Sequence, residues 1–469
     1  MSSAAKLQER CSSVTLHDHA GYLCVVEQSA ENGLGRFPAM RSSEFRWLFA
    51  NGFFTTGSRW AQVLARGWLV HDLSGGSTSA VGWVTFASFI PFVIVGPVAG
   101  AMADRLQRRR VLIGGGVFGV VGATALAVCT SLDVVQVWHV GVLAFATGSA
   151  QAIAVPTRQA LIATSVPRAH LTNAVALSGL SQHGSRLAGP LFGAAFLSTL
   201  GVSAVFVVSA ALLMVGVLCA FRVGTQVTED PAGTAETVSV PKTEPERVVI
   251  TAIRELRADL EAALRYVAVD GRLLTVIALV GAHCGLTMAF DAMLPALSVK
   301  VGGSEGLYST ILIALGGGAL VGTLGVSQLR NETTRALSFV ASGIGSGLSL
   351  VLLGTATGPN VALPAAVLAG LSQGAYMALS ATLVQTVVVD RFRARVMSLY
   401  IMMAAGHMAI FNLGFGQFAE VVEVRVLLVV PGMIWVALFL AMVAVLPEAR
   451  NVAIKGRFTH DDRVEGVSS

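Results

Sequence analysis

Apolar stretches about as long as a membrane is thick recur along the whole chain. A helix needs roughly 20 residues to cross about 30 Å of hydrocarbon. Charged residues make up only 13% of the 469 residues, against about 25% in soluble domains, and the mean hydropathy is +0.71. The sequence therefore predicts an all-α membrane protein with twelve transmembrane helices, at 46–71, 79–102, 110–131, 136–160, 172–199, 203–222, 272–298, 307–328, 336–354, 361–388, 395–419 and 425–446.

The twelve stretches form two groups of six, separated by a segment rich in Thr, Pro, Glu and Gly (224–248) that cannot bury a core. After it, apolar residues share one helix face within 246–268, which predicts either an amphipathic helix on the membrane surface or a solvated linker helix. These residues are Ile250, Ile253, Leu256, Leu260 and Leu264. The predicted layout is a disordered cytoplasmic N-tail (1–42), a six-helix half (43–223), a cytoplasmic linker (224–270), a second six-helix half (271–446) and a cytoplasmic C-tail (447–469).

The two groups are related by an internal repeat. A shift of 222 residues places identical residues on one another: Gly96 on Gly318, Gly100 on Gly322, Gly148 on Gly370 and Gln151 on Gln373. Transporters built from two parallel repeats carry their substrate between the halves, near the membrane midplane. Small residues allow helices to approach closely in lipid, so the shared glycines predict a duplicated framework, whereas the charged residues within the spans are not duplicated.

The placement of basic residues predicts the orientation. Of the 32 Lys and Arg residues, only Lys300 and Arg425 fall in loops that would be extracellular if the N-terminus is inside. This strong positive-inside bias predicts cytoplasmic termini. The net charge of +5 thus reports orientation, and no nucleic-acid partner is predicted.

Several functional classes lack their motifs in the sequence. The five cysteines have no metal-ligand spacing, and there is neither a phosphate-binding loop nor an H-E-x-x-H zinc motif. We therefore expect no enzyme activity, metal or cofactor. The first 39 residues lack the apolar core of a secretory signal, and we expect that translation starts at either Met1 or Met40.

The stretch "GAMADRLQRRR" carries a recognisable loop motif. Gly100, Asp104, Arg105, Arg108 and Arg109 match the G-x-x-x-D-R-x-G-R-R signature of the major facilitator superfamily, with Gln107 in place of its glycine. "GWLVHDLSGGSTSAVGW", "VPRAHLTNAVAL", "SRLAGPLFG" and "DRFRARVMSLY" resemble a branch that contains the enterobactin exporter and macrolide efflux pumps. The resemblance covers about 43–446 and implies that the loop residues gate alternating access. A simple stop-transfer cluster is the alternative for the arginines.

Asp291 is the one acidic residue deep within a predicted span. A charged side chain at this depth costs about 2.5 to 3.5 kcal/mol on insertion scales, so such residues usually face the bundle interior and have a function. On a continuous helix Asp291 would share one face with His283 and Thr287. We predict Asp291 and His283 as the proton-coupling residues.

The first span carries a face with cationic residues, opposite in charge to Asp291. Thr55, Arg59, Gln62 and Arg66 are spaced by four, three and four residues and so share one face. Because the resemblance implies that the first and seventh helices line the central cavity, this face and Asp291 are expected to meet there. A static ion pair between the halves, or snorkelling of the arginines to an interface, are alternatives. Further predicted cavity residues are Arg186, Gln373 and Tyr376. Weaker candidates are Gln151, Arg158, His183, Gln385 and His407, for which an interhelical hydrogen bond is the alternative.

These features predict a monomeric proton antiporter in a bacterial inner membrane. By resemblance it exports an amphipathic small molecule such as a drug, a siderophore or a similar metabolite, so its partners are that substrate, protons and the lipid bilayer. The alternatives are a proton-coupled importer of a small polar metabolite and a membrane scaffold that transports nothing.

Overall fold

The computed structural model describes residues 37–96, 107–167, 170–224, 260–329 and 331–455. Within these ranges every regular element is a helix. The long helices, numbered in chain order, are α1 Ser43–Leu73, α2 Thr78–Gly96, α3 Arg108–Ser131, α4 Val137–Thr164, α5 and α6 within Leu171–Phe221, α7 Gly271–Lys300, α8 Glu305–Ser327, α9 Glu332–Gly354, α10 Pro359–Val387, α11 Asp390–Phe418, α12 Val426–Val445 and α13 Pro447–Lys455.

The lengths and composition of these helices confirm the predicted membrane fold. Ten stretches of the described chain are long and apolar enough to cross a membrane. One of them holds two helices, α5 (171–200) and α6 (202–221), because Gly201 between them has a φ of 81°, which favours glycine. α1 is not among the ten, although it has 31 residues; it is the helix that carries Arg59 and Arg66. With α1 and the divided stretch included, the described part contains twelve helices of spanning length.

The repeated glycines hold equivalent helix pairs together. Gly148 of α4 packs against the backbone of Ser88 in α2, and Gly370 of α10 packs against the backbone of Leu315 in α8. The second pair follows the first by six helices. A Cβ atom at either glycine would collide with the facing carbonyl oxygen, so the same residue type permits the same close approach in both halves.

The two helix pairs with the most extensive contact between the halves are also related by the repeat. α2 packs against α11 and α5 packs against α8. Gly82 approaches the backbone of Asn412 in the first pair, and Gly316 approaches the backbone of Arg186 in the second. In the repeat, α2 is equivalent to α8 and α11 is equivalent to α5. The contact of α2 with α11 is therefore equivalent to the contact of α8 with α5. This is the arrangement of two parallel repeats around a pseudo-twofold axis.

α7 differs from the continuous helix predicted for 272–298. Its first α-helical part ends at His283, a π-helical turn follows at Cys284–Met288, and a 3-10 turn follows at Asp291–Met293 before the α-helix resumes at Leu294–Lys300. Pro295 lies in the first turn of this last part, where its missing N–H leaves no hydrogen bond unmade.

Two buried amide side chains bind backbone groups at this break. The Gln373 Nε2 atom of α10 donates to the Thr287 carbonyl oxygen at 2.7 Å. The Ala292 N–H donates to the Asn412 Oδ1 atom of α11 at 3.0 Å. An unpaired backbone group inside a membrane protein costs several kcal/mol, so these amides stabilise the irregular part of α7.

The end of the predicted disordered N-tail is ordered, which corrects the boundary at residue 42. Pro38–Arg41 forms a 3-10 turn, and Ala39 is buried and donates its N–H to the Asn173 Oδ1 atom at 3.2 Å. The Ser42 side chain then caps α1 by accepting a hydrogen bond from the Phe45 N–H. This turn therefore belongs to the first helical half.

Only the last part of the predicted amphipathic segment, from residue 260, lies within the described residues. Ala263 and Val267 are buried there, whereas Leu264 is 47% exposed. Tyr266 stacks on Phe392 at the start of α11, with ring centroids 4.5 Å apart. Leu260 of the predicted apolar face packs on the second half together with Val267, whereas Leu264 of the same predicted face stays exposed.

Candidate functional site

One face of α1 is polar and buried, and it faces α4. Thr55, Gln62 and Arg66 are at most 6% exposed. The Arg158 Nη1 atom donates to the Thr55 hydroxyl at 3.1 Å, and the Arg66 Nη1 atom donates to the Thr147 hydroxyl at 3.3 Å. The predicted cationic face of α1 is therefore joined to α4 by two bonds between a guanidinium and a hydroxyl group.

Arg59 lies between these two bonds and contacts aromatic rings. Its guanidinium carbon is 5.4 Å from the ring centroid of Phe89 and 5.2 Å from that of Phe92, both in α2. The negative faces of the rings attract the cation, so these contacts hold Arg59 beside α2.

A pocket lies among α1, α3 and α4. It encloses about 690 Å³ of space not filled by atoms, including the part open to solvent. The polar side chains of its lining include Asn51, Thr55, Arg59, Gln62, Arg66, Thr147, Gln151 and Arg158. We call this space the α1–α4 pocket.

Asn51 and Thr147 also line this pocket, although neither was predicted from the sequence. Asn51 lies one helical turn before Thr55 and so extends the same face of α1, a signal that the spacing already contained. Thr147 belongs to α4 and its place opposite Arg66 follows only from the packing of the two helices.

Asp291 lies at the break of α7, where it begins the 3-10 turn, and its side chain is partly exposed. Arg186 of α5, Arg59 of α1 and Tyr308 of α8 are the ionisable groups near enough to interact with it electrostatically. None of the described residues forms a direct salt bridge with Asp291. The structure thus brings the predicted acid and two predicted cavity arginines together from both halves.

His283 does not share a face with Asp291, because the break of α7 changes the helical register between them. His283 is completely buried, 3.0 Å from the Ser346 hydroxyl, and its ring stacks on Tyr376 with centroids 4.3 Å apart. Trp435 packs edge-on against both rings. His283 therefore belongs to an aromatic cluster inside the second half.

Gln373 and Tyr376 are likewise buried and do not line the α1–α4 pocket. They are 1% and 0% exposed. The Gln373 amide donates to the break of α7, and Tyr376 belongs to the aromatic cluster with His283. Both side chains are used in packing in this conformation, and their role as cavity residues stays a prediction.

The predicted gating loop lies partly outside the described residues. Gly100, Asp104 and Arg105 fall in the range 97–106, which is not described. Arg108 and Arg109 begin α3, and the Arg109 guanidinium donates to the Phe221 carbonyl oxygen at the end of α6. A guanidinium interacts favourably with the C-terminal carbonyl groups of a helix, so Arg109 joins α3 to α6 within the first half.

A polar contact closes the end of the bundle that carries the loop between α1 and α2, here called the α1–α2 end. The Glu420 carboxylate, just after α11, accepts hydrogen bonds from the Ser77 hydroxyl at 2.8 Å and from the Ser79 N–H at 3.0 Å. These bonds hold the pKa of Glu420 below its usual range. They also place a negative charge at the N-terminus of α2, which is favourable. We call this contact the Glu420 clasp.

Comparison with known proteins identifies the family. Residues 34–465 match the family model described as transmembrane secretion effector, of the major facilitator superfamily. The chain belongs to this family. Its members are transporters, so the protein is a multi-pass membrane transporter.

Relatives of this transporter include efflux proteins. The chain is 23% identical over 330 residues to macrolide efflux protein A of Streptococcus pyogenes, which covers 69% of this chain and 76% of the relative. An uncharacterized MFS-type transporter of Bacillus subtilis, YfiS, is 24% identical over 132 residues. That match spans 28% of this chain and 30% of the Bacillus protein.

Solved structures of similar fold support the assignment at the level of architecture. A bacterial homologue of the human lysosomal transporter Spinster, in an inward-facing and unoccupied conformation, has a TM-score of 0.62 at 14% identity, covering 90% of this chain and 99% of that one. A POT family transporter in complex with 5-aminolevulinic acid has a TM-score of 0.64 at 13% identity, covering 86% and 96%. Both likenesses concern the fold alone.

Proposed function

We propose that this transporter exports an amphipathic small molecule, such as a drug, a siderophore or a similar metabolite, in exchange for protons across a bacterial inner membrane. The observation that carries the proposal is the position of Asp291. It is a partly exposed carboxyl group at a helix break, with cationic neighbours on α1 and α5 of the other half.

Protonation of Asp291 changes the attraction between the halves. The ionised carboxylate attracts Arg59 and Arg186, and the protonated carboxyl group does not. Because the arginines belong to the first half and Asp291 to the second, gain or loss of the proton biases the relative position of the halves. Such a change in electrostatic attraction is what couples a proton to alternating access. We assign proton coupling to Asp291 alone and a structural role to His283.

The positive-inside bias supports cytoplasmic termini, which places the α1–α2 end on the outside. The Glu420 clasp closes that end. The α1–α4 pocket reaches Leu112 and Gly115, near the start of α3, on the proposed cytoplasmic side. An exporter collects its substrate from this side. The similarity to macrolide efflux protein A supports the same direction.

Drug accumulation in a bacterial strain that lacks its major efflux pumps tests the direction. Expression of the transporter is expected to lower accumulation of at least one compound in a panel of drugs and siderophores, and a protonophore should abolish the effect. Increased accumulation would instead show import. No change across a broad panel would support a scaffold without transport.

Asp291→Asn tests the coupling site. The variant is expected to fold and bind substrate but to lose uphill transport, because its amide cannot release a proton. Asp133→Asn is the matched control, since Asp133 is exposed in the loop between α3 and α4 with a φ of 56°, which Asn also adopts. Wild-type transport and pH dependence in Asp291→Asn would overturn the assignment.

A further inference from the structure

We propose that the α1–α4 pocket binds an organic anion, and therefore that the transported substrate is an amphipathic acid. The statement that this ligand is also transported rests on the proposed function. The binding itself rests on the charge, burial and hydrogen bonding of the pocket.

The first observation is that two arginines of the pocket are buried without a counter-ion. Arg66 and Arg158 are 6% and 7% exposed. Their hydrogen-bond partners within the described residues are neutral: Arg66 donates to the Gln62 carbonyl and the Thr147 hydroxyl, and Arg158 donates to the Thr55 hydroxyl. Across the described ranges, no carboxylate lies within salt-bridge distance of either guanidinium. A buried charge without a counter-ion is costly, and an anionic ligand supplies one.

The second observation is that the pocket also holds unpartnered acceptors. The Asn51 Oδ1 and Gln62 Oε1 atoms are buried, and neither has a hydrogen-bond partner in the described structure. Both residues line the pocket. These two oxygen atoms can accept hydrogen bonds from N–H or O–H groups of the ligand. A hydroxy acid or an N-acylated acid carries such a group beside its acidic group.

The third observation concerns the shape and polarity of the pocket. Thr55, which binds Arg158, and Arg66 are three turns apart on α1, or about 16 Å along the helix. The wall formed by α3 is apolar, with Leu112, Gly116 and Gly119. An elongated ligand can thus place an acidic group beside one of these arginines and its apolar part against α3.

The proton site and the pocket share one cation. Arg59 lines the pocket and also interacts with Asp291. An anion in the pocket and the ionised Asp291 therefore compete for the same guanidinium. This competition links anion binding to the charge of Asp291 without any further residue.

Binding of matched ligands to the purified full-length protein in lipid nanodiscs tests the inference. The probes are 2-naphthoate, 2-naphthamide and 2-naphthylmethylammonium, which share one ring system and differ in charge. Concentration-dependent shifts of the thermal unfolding midpoint give the affinities. We expect naphthoate to bind at least about tenfold more tightly than the amide, since hydrogen bonds to a charged group are the strong ones. Equal or tighter binding of the amide or the cation would overturn the inference.

Arg66→Gln and Arg158→Gln locate the site. At least one of them is expected to lower the affinity for naphthoate about tenfold and to leave that for naphthamide unchanged, because a single carboxylate binds one of the two separated guanidinium groups. Arg222→Gln is the control, because Arg222 is exposed and lies over the Trp47 ring away from the pocket. Unchanged naphthoate binding in both pocket variants would exclude this site. If a variant does not fold, the wild-type preference for the anion still decides the outcome.

Transport in proteoliposomes separates this inference from the proposed function. Export of naphthoate driven by a pH gradient would support both. Tight naphthoate binding without uphill export would retain the anion site and contradict the exporter. Proton-driven export of cationic drugs, with no binding preference for naphthoate, would retain the exporter and contradict the anion site.

Discussion

The first and fourth helices of the two halves share a framework but differ in what they enclose. In the first half, α1 and α4 enclose a pocket lined by arginines and threonines. In the second half, the equivalent helices are α7 and α10. His283 of α7 packs there against the rings of Tyr376 of α10 and Trp435. The shift of 222 residues carries Arg59 to Gly281, which packs against the His407 ring. A duplicated framework has thus become a polar pocket in one half and an aromatic core in the other.

The sharpest test of the shared framework is the pair of substitutions Gly148→Val and Gly370→Val. Each places a branched side chain against a backbone carbonyl of the neighbouring helix. We expect each to lower the free energy of unfolding by about 3 kcal/mol, measured by thermal or denaturant unfolding in detergent. Gly414→Val is the control, because nothing lies within 4 Å of a Cβ atom there. A stable Gly148→Val variant beside an unstable Gly370→Val variant would show that the frameworks are not equivalent at this contact.

The divergence of the halves is tested by Gln373→Leu and Gln151→Leu, which occupy equivalent positions in the repeat. Gln373→Leu removes the donor to the Thr287 carbonyl, so we expect a loss of about 1 to 3 kcal/mol in the free energy of unfolding. Gln151 lines the pocket, and Gln151→Leu should leave stability within about 0.5 kcal/mol. Thermal unfolding of both variants checks this. Equal destabilisation would mean that the two glutamines are both structural.

The Glu420 clasp is a smaller difference between the two halves than the pocket and the aromatic cluster. Ser304 holds the place of Ser77 before the start of α8, and among the described residues its hydroxyl bonds to the Gly306 N–H and to no carboxylate. Glu420→Gln weakens an exposed contact, so we expect less than about a fivefold increase in the population open at the α1–α2 end. Distances between spin labels at the exposed positions Leu73 and Val421 report this population, with Glu305→Gln as a control at the same end. A large population shift in the control, or none in Glu420→Gln, would contradict the role of the clasp.

The pH dependence of the clasp follows from the lowered pKa of Glu420. A group with a lowered pKa in the clasped state stabilises that state above its ordinary pKa, and the contribution is lost as the pH falls through the lowered value. The usual value for this group is 4.5. Glu420 should therefore cause no change in the spin-label distances between about pH 5 and pH 7. Any change that Glu420 causes below pH 5 should be absent in the Glu420→Gln variant.

The smallest effect is expected for Tyr376→Phe. The Tyr376 hydroxyl is buried without a partner in the described part of the chain, so its removal loses no hydrogen bond while the ring stacking on His283 remains. The free energy of unfolding should change by less than about 0.5 kcal/mol, and transport should be unaffected. A transport defect with normal stability would show that Tyr376 faces the substrate in another conformation.

Much of the fold could be predicted from the sequence because hydrocarbon imposes a simple rule on every segment. Local patterns of apolar and small residues predict the helix lengths and the separation of α5 from α6. They also predict the equivalence of Gly148 and Gly370. The break of α7 could not be predicted this way. Its freed backbone groups are bonded by Gln373 and Asn412, which are distant in the sequence.

The candidate site shows the same division. The polar face of α1 follows from residue spacing, since Thr55, Gln62 and Arg66 lie on one side of a regular helix. The prediction for His283 failed because the same spacing rule was applied across an irregular helix. Gln373 and Tyr376 were predicted as cavity residues from their polarity, but a polar side chain inside a membrane protein serves packing as readily as binding.

The sequence by itself determined that the chain forms membrane helices, that it contains two related halves and that Asp291 is an unusual acid within a membrane span. These properties depend on local composition and periodicity, which hydrocarbon selects segment by segment. Only the tertiary structure decided which polar residues meet. The contacts of Arg66 with Thr147 and of Arg158 with Thr55, and the electrostatic interaction of Asp291 with arginines of the other half, depend on how separate helices pack, and no local pattern contains that information.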